Sequence, residues 1–264
     1  MNLPGLSPYI LTIGPLQIHW YAVFIVSTVV IGYAYLYRQR EHLGLSEDLL
    51  TNGMLWGVVG GVVGARLVFV IFNEPSWFVT DPVQILRIYD GGLAFHGAVG
   101  GGLLAAWLYL RRKEVAFGRF MDCLIPGLAV GIMLVRIGNV FNHEVLGHFS
   151  IYAPGGEWPA QLIGGAIGTF LIFRYFWYAK KNPPPGAQFW SALFYYSLIR
   201  GFIGETIRAN PTLFVHYENP VLGIGFITVE QVFTPLLLIG TYYFWHRAVK
   251  LGEAKPVATG QVQA

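Results

Sequence analysis

Charge is what this chain has least of. Of its 264 residues only 12% are Asp, Glu, Lys or Arg, against 55% hydrophobic and 16% aromatic, and mean hydropathy is +0.52. Soluble domains carry about 25% charged residues, so the composition excludes a soluble enzyme and implies a polytopic membrane protein. The net charge of +3 is small, and Lys and Arg occur in short clusters rather than one stripe, which excludes nucleic acid as a partner. Cysteine is nearly absent. Cys123 stands alone in an apolar segment, can form no intrachain disulfide, and reads as a small buried hydrophobe. The first 37 residues contain no Lys or Arg. Without a basic n-region no cleavable signal peptide is expected, and the first apolar run stays as a helix. No G-x-S-x-G elbow and no D-x-x-x-D pair occurs, so serine hydrolysis and metal-dependent alcohol phosphotransfer have no anchor. A long internal repeat is also missing, so an inverted-repeat transporter plan gains no support.

Long apolar runs, by contrast, are plentiful. Crossing about 30 Å of hydrocarbon takes roughly 20 residues, and runs of that length lie near 17–37, 49–73, 91–110, 121–141, 159–179, 187–207 and 227–246. The expected fold is all-α, with seven transmembrane helices and small outer loops near 74–90, 142–158 and 208–226. Arg38, Arg40, Arg111, Arg112, Lys113, Arg119, Arg174, Lys180, Lys181, Arg247, Lys250 and Lys255 all fall at one end of these runs. The positive-inside rule makes that side cytoplasmic, with the N-terminus outside and the C-terminus inside. Residues 1–250 are expected to form one transmembrane catalytic domain, and 251–264 a flexible cytoplasmic tail. Gly57/Gly61, Gly60/Gly64, Gly97/Gly101 and Gly164/Gly168 are small-xxx-small pairs that allow helices to approach closely, within one chain or between two copies.

Five arginines remain on the outer side, against the topological bias: Arg66, Arg87, Arg136, Arg200 and Arg208. A guanidinium near hydrocarbon costs about 2.5–3.5 kcal/mol on insertion scales, which makes each a functional-site hypothesis. At 1.5 Å rise per residue, Arg136, His96 and Arg200 lie about 8, 8 and 10 Å from the outer ends of their helices. Arg136, Asn139 and His143 are spaced i, i+3, i+7, and Tyr196 and Arg200 are spaced i, i+4. Two guanidiniums with Asn and Tyr donors suit a phosphodiester headgroup. Asp90, Glu144 and Glu205 supply acids, and Arg136/Glu144 or Arg208/Glu205 could instead be charge pairs that make burial tolerable. His143-Glu-Val-Leu-Gly-His148 is not a zincin site. H-E-x-x-H needs histidines at i, i+4, and here they are at i, i+5, about 140° apart on a helix.

The segment Arg136-Ile-Gly-Asn139-Val-Phe-Asn142-His-Glu144-Val-Leu-Gly147 resembles the signature of the bacterial prolipoprotein diacylglyceryl transferase family, roughly G-R-x-G-N-x-x-N-x-E-x-x-G, with Val135 where the pattern has Gly. Tyr89-Asp90-Gly-Gly-Leu-Ala-Phe-His96-Gly is similar to the family's W-D-G-G-x-S-F-H-G. Ile18-His19-Trp20-Tyr21 matches its first-helix H-W-Y, Gly64-Ala-Arg66 its G-A-R, and Tyr196-Ser-Leu-Ile-Arg200 with Glu205 and Arg208 its sixth-helix motif. Two departures stand out. Arg200 and Glu205 are five residues apart where the family has four, which implies a one-residue bulge or a different pairing. The family's H-P-x-Q-L-Y-E reads here Trp158-Pro-Ala-Gln161-Leu-Ile-Gly164, without its His, Tyr and Glu.

The resemblance implies transfer of the sn-1,2-diacylglyceryl group from phosphatidylglycerol to the lipobox cysteine of a prolipoprotein signal peptide. A thioether forms and glycerol 1-phosphate leaves, at the outer leaflet of the bacterial inner membrane. A substrate thiol with pKa near 8.5 must lose its proton to attack carbon. His96 is the expected base, assisted by Tyr21 or Arg200. Arg136 and Arg200 would stabilise the leaving phosphate, with Asn139, Asn142, Glu144, Gly147, Tyr196, Arg66 and Asp90 completing the substrate site. No metal or cofactor is required by this chemistry. The rival reading is a transporter or receptor for an anionic lipid or solute.

Overall fold

A computed structural model of the chain describes residues 6–13, 16–88, 92–113, 117–210, 218–219 and 221–253. Its helices are α1 (Trp20–Gln39), α2 (Glu47–Asn73), the short α3 (Trp77–Thr80), α4 (Phe95–Leu110), α5 (Phe117–Phe141), α6 (Ala160–Ala179), α7 (Ala187–Leu198), the one-turn α8 (Glu205–Ile207) and α9 (Val229–Glu253). A π-helical turn, Ile199–Gly204, joins α7 to α8. Helix lies within each of the seven apolar runs, although the first opens on strand residues 17–19. By length and composition, α1, α2, α5 and α6 are apolar enough to cross a membrane, and α4 is a shorter apolar helix.

The expectation of an all-α chain needs correction at its edges, because two antiparallel ribbons are present. β1 (Tyr9–Ile13) pairs with β2 (Leu16–His19), and β3 (Glu218–Asn219) with β4 (Ile224–Gly225). The first helix therefore begins at Trp20 rather than near residue 17. Tyr9-Ile-Leu-Thr-Ile13 is rich in β-branched and aromatic residues, which favour a strand. The Tyr9 ring meets His19 edge-on at 4.6 Å between centroids. α9 runs on to Glu253, into the expected tail, whose residues from 254 lie outside the described ones.

The chain divides into two compact units, residues 36–117 and residues 1–35 with 118–264. The first is built on α2 against α4. A Cβ on Gly60, Gly64, Gly97 or Gly101 would fall on a main-chain oxygen of the facing helix. These glycines are therefore spent inside the chain, on an antiparallel crossing where lipid supplies no hydrophobic drive and only close backbone contact holds helices together. Beside it, Arg66 is 4% exposed and donates to the carbonyls of Gln84 (2.6 Å), Ile85 (3.0 Å), Arg87 (3.0 Å) and Gly92 (3.0 Å). The Trp77 ring lies 5.2 Å from its guanidinium carbon. One buried cation thus satisfies four carbonyls of the connection into α4, each charge-assisted bond contributing about 1.5–3 kcal/mol.

In the other unit, α1 crosses α5 antiparallel. Gly127 faces Gly32, Gly131 faces Thr28, and Gly138 faces Tyr21 and Phe24. α6 returns along α5, with Gly168 against Ala129 and Met133 and Gly164 against Arg136. At the far end Asp122 of α5 starts α7. Its carboxylate accepts from the main-chain N–H groups of Gly186 and Phe189, both at 2.8 Å. The first N–H groups of a helix have no intrahelical acceptor, so this carboxylate from another helix serves as the N-cap and fixes where α7, which carries Tyr196 and runs into the π-turn with Arg200, begins.

Candidate functional site

Arg136, Arg200 and Arg208 line one cleft, with Val145, Ala160, Gly164 and Gly204 completing its wall. Three chain segments deliver the guanidiniums. Arg136 sits near the end of α5, Arg200 in the π-turn, and Arg208 at the residue that ends α8.

The π-turn resolves the spacing departure. Residues five apart on an α-helix point about 140° away from one another, whereas here the Glu205 N–H bonds to the Arg200 carbonyl in i→i+5 fashion. The extra residue brings the two side chains onto one face, and Arg200 Nη1 donates to Glu205 Oε1 in an ion pair. Glu205 is fully buried. It also accepts from Arg208 Nη1 (3.4 Å), Asn210 Nδ2 (2.6 Å) and Thr228 Oγ1 (3.4 Å). A buried carboxylate tolerates its loss of water only when hydrogen-bonded and paired; this one holds two guanidiniums beside the cleft. The sequence marks Glu205 as an acid and Arg208 as an outer arginine, at i, i+3 spacing, but assigns neither to the catalytic or substrate-binding set.

Arg208 is fixed through its backbone as well. Gly147 bridges to it in antiparallel fashion, His148 N–H bonds to Ile207 O (2.9 Å) and Ala209 N–H to Leu146 O (3.1 Å). On its other side Gly147 packs under Trp158, and a Cβ there would fall on the Trp158 carbonyl. Gly147, one of the expected substrate-site residues, sits as a spacer between two pieces of chain. The preceding turn is strained. His143 and Val145 have φ of 54° and 59°, and for a β-branched residue such as Val145 the left-handed region is a true outlier. Val145 is the one that lines the cleft.

The remaining expected residues distribute as follows. Tyr21 packs on α5 at Gly138, within electrostatic reach of both Arg136 and Glu144. Tyr196 faces Arg136 and Arg200. Asn139 is buried one turn beyond Arg136, and its carbonyl accepts the Glu144 N–H (2.9 Å). The side-chain oxygen of Asn142 is buried without a protein partner. Glu144 is exposed, and its main-chain carbonyl accepts from the fully buried Gln161 at 2.9 Å. The alternative Arg136–Glu144 charge pair is not formed; among the described residues Arg136 has no carboxylate within ion-pair distance. Arg66 has its guanidinium on loop carbonyls. His96 lies in the first turn of α4 with its side chain outside the described residues, and Asp90 lies outside them altogether.

Among the described residues, three guanidiniums therefore line a cleft beside one fully buried carboxylate. Counting the exposed Glu230, which lies within electrostatic reach of Arg200, the arginines still outnumber the acids; such a wall suits an anionic ligand, and guanidinium forks match phosphate oxygens in geometry.

The family model of prolipoprotein diacylglyceryl transferase matches residues 8–246. Phosphatidylglycerol--prolipoprotein diacylglyceryl transferase of Thermoanaerobacter sp. (strain X514) is 50% identical over 249 residues, covering 94% of this chain and 96% of that protein. Its namesake from Caldanaerobacter subterraneus subsp. tengcongensis is 49% identical over the same shares. The namesake from Thermus thermophilus is 32% identical over 276 residues, covering 92% of this chain and 98% of its own length. With the match running from the first ribbon into α9, the chain belongs to the prolipoprotein diacylglyceryl transferase family.

Proposed function

We propose that this protein transfers the diacylglyceryl group of phosphatidylglycerol to the lipobox cysteine of a prolipoprotein, and that the arginine cleft binds the lipid phosphate. Family membership supports the reaction; the observation that carries the site is the convergence of Arg136, Arg200 and Arg208 on one cleft.

The thiol sulfur attacks the glycerol carbon that carries the phosphate ester. The C–S bond forms as the C–O bond breaks, the electron pair leaves with glycerol 1-phosphate, and the thiol proton passes to a base. Negative charge on the departing oxygen is met by Arg136, Arg200 and Arg208 in a site partly withdrawn from water, where oriented donors act most strongly. Tyr196 and Asn139 add neutral donors beside Arg136. Tyr21, placed against α5 between Arg136 and Glu144, orients the headgroup or relays the proton. His96 is assigned as the base. Arg66 serves indirectly, holding the connection that leads into the first turn of α4.

The chain is assigned to the bacterial inner membrane with seven spans, N-terminus outside, and the cleft toward the outer leaflet. The twelve cations that collect at the opposite ends of the apolar runs support this orientation.

The test uses purified protein, phosphatidylglycerol vesicles and a lipobox peptide. The peptide should gain one diacylglyceryl mass, and Arg136→Ala should abolish the gain while the protein stays folded. Normal turnover in Arg136→Ala sinks the assignment of the cleft. Binding of lipid with no change in peptide mass would point instead to a transporter or receptor.

A further inference from the structure

Gly164 of α6 lines the arginine cleft, and the side chain of Arg136 lies directly over its backbone. A Cβ at Gly164 would stand 2.7 Å from Arg136 Nε, 2.8 Å from Cδ and 3.2 Å from Cγ. All three contacts are with one flexible side chain and none with backbone. A methyl group here would therefore not wedge α5 from α6; it would turn the Arg136 side chain away from its seat. The next residue offers a contrast. A Cβ at Gly165 would meet only Arg136 Cβ, at an ordinary 3.9 Å.

We propose that in this chain Gly164, at the position where the family pattern carries Glu, is a positioning residue: its missing side chain is the seat that aims the Arg136 guanidinium into the cleft, and it thereby sets affinity for the anionic lipid headgroup. The inference rests on the reading of the cleft as the phosphate site. A guanidinium displaced by about 1 Å loses the linear, paired geometry on which bidentate phosphate binding depends. Gly204, which also lines the cleft, differs: a Cβ there would lie 3.4 Å from Arg200 Cδ, an ordinary contact.

The substitution Gly164→Ala separates this role from a structural one, because alanine raises helix propensity. A purely structural glycine on α6 predicts an unchanged or more stable protein with unchanged kinetics. The expected result is retained thermal stability with KM for phosphatidylglycerol raised about tenfold, the scale of one weakened charge-assisted hydrogen bond. Gly165→Ala should match wild type in both stability and KM. In an Arg136→Gln background, with lipid binding read by native mass spectrometry rather than by KM, Gly164→Ala should have no further effect, since the residue it acts through is gone. Equal KM for Gly164→Ala and Gly165→Ala overturns the proposal, as does a full additive effect in the double variant. Failure of Gly164→Ala to fold also overturns the proposal, because a Cβ there would then be blocked by more than the flexible Arg136 side chain. If Arg136→Gln alone leaves KM and turnover unchanged, the reading of the cleft fails first, and that outcome is distinct from failure at Gly164.

Discussion

Glu205 and Arg200 are paired across a π-turn, five residues apart on one continuous helical segment. The turn inserts one residue into the helix without breaking it, and the pair survives because hydrogen bonding switches locally from i→i+4 to i→i+5. π-turns are rare and concentrate at functional sites; this one carries an arginine of the cleft.

The buried carboxylate should be the most costly single side chain to neutralise in this region. Glu205→Gln keeps the shape but leaves Arg200 and Arg208 without their shared counter-charge, and breaking a buried pair this way costs about 3–5 kcal/mol. Unfolding in detergent should show that loss together with loss of turnover. Unchanged stability would mean that other groups neutralise the two guanidiniums.

The extra residue of the π-turn can be removed. Deletion of Ile203, which is 52% exposed, should convert the turn to α-helix with Arg and Glu at i, i+4, still paired and on one face. Turnover within about tenfold of wild type is the expected outcome, one weakened hydrogen bond at most. Deletion of Gly201, which packs against Thr234 of α9, should abolish folding instead. Equal damage from both deletions would show that the turn matters for more than register.

Much of this architecture is legible in the sequence, because the bilayer writes its length into apolar runs. Helix lies within each apolar run, and three of the five arginines that stand apart from the cation clusters, Arg136, Arg200 and Arg208, line the cleft. What stayed hidden depends on contacts between distant segments. Nothing local in Gly-Ala-Arg66 tells that its guanidinium serves four carbonyls some twenty residues on. The glycine pairs announce close packing but not the partner, and only the facing oxygens of α2 and α4 show that the partner is internal. Arg208 was visible as an outer arginine, yet its aim is set by the Gly147 bridge, a long-range backbone contact. The second strand of the first ribbon is masked in the sequence because residues 17–19 continue into the apolar run of α1.

Arg208→Gln should weaken headgroup binding and leave the fold intact, since Glu205 keeps Arg200, Asn210 and Thr228 as partners. Removal of one charge-assisted contact corresponds to about 1.5–3 kcal/mol, roughly a 10- to 150-fold rise in KM for phosphatidylglycerol. Steady-state kinetics on vesicles checks this. A fall in turnover with unchanged KM would place Arg208 on the leaving group in the transition state alone.

Asp122 lies at the other end of α7 and should affect stability without touching chemistry. Asp122→Ala strips the acceptors from the Gly186 and Phe189 N–H groups, and lost caps cost about 0.5–2 kcal/mol. Asp122→Asn keeps one acceptor oxygen and should lie between. Thermal unfolding and KM measured on the same preparations should separate, the first lowered and the second unchanged. A raised KM would show that the cap also sets the register of Arg200.

The α2–α4 crossing supplies the sharpest contrast between two glycines of the same unit. A Cβ at Gly60 would stand 2.6 Å from the Gly101 carbonyl oxygen, rigid helix backbone that cannot turn aside, while at Gly100 it would meet nothing within 4 Å. Gly60→Val must therefore push the helices apart, and small residues are what allow helices to associate in lipid at all. Overpacking of this kind costs about 1–3 kcal/mol where side chains can adjust, and here the obstacle is backbone. The expected outcome is failure of Gly60→Val to accumulate in the membrane, with Gly100→Val accumulating and turning over as wild type does. Both substitutions add the same apolar volume to an apolar segment, so insertion into the bilayer is matched between them. A difference in yield then reports packing of α2 on α4 alone, and equal yields would mean that the crossing is looser than its facing glycines imply.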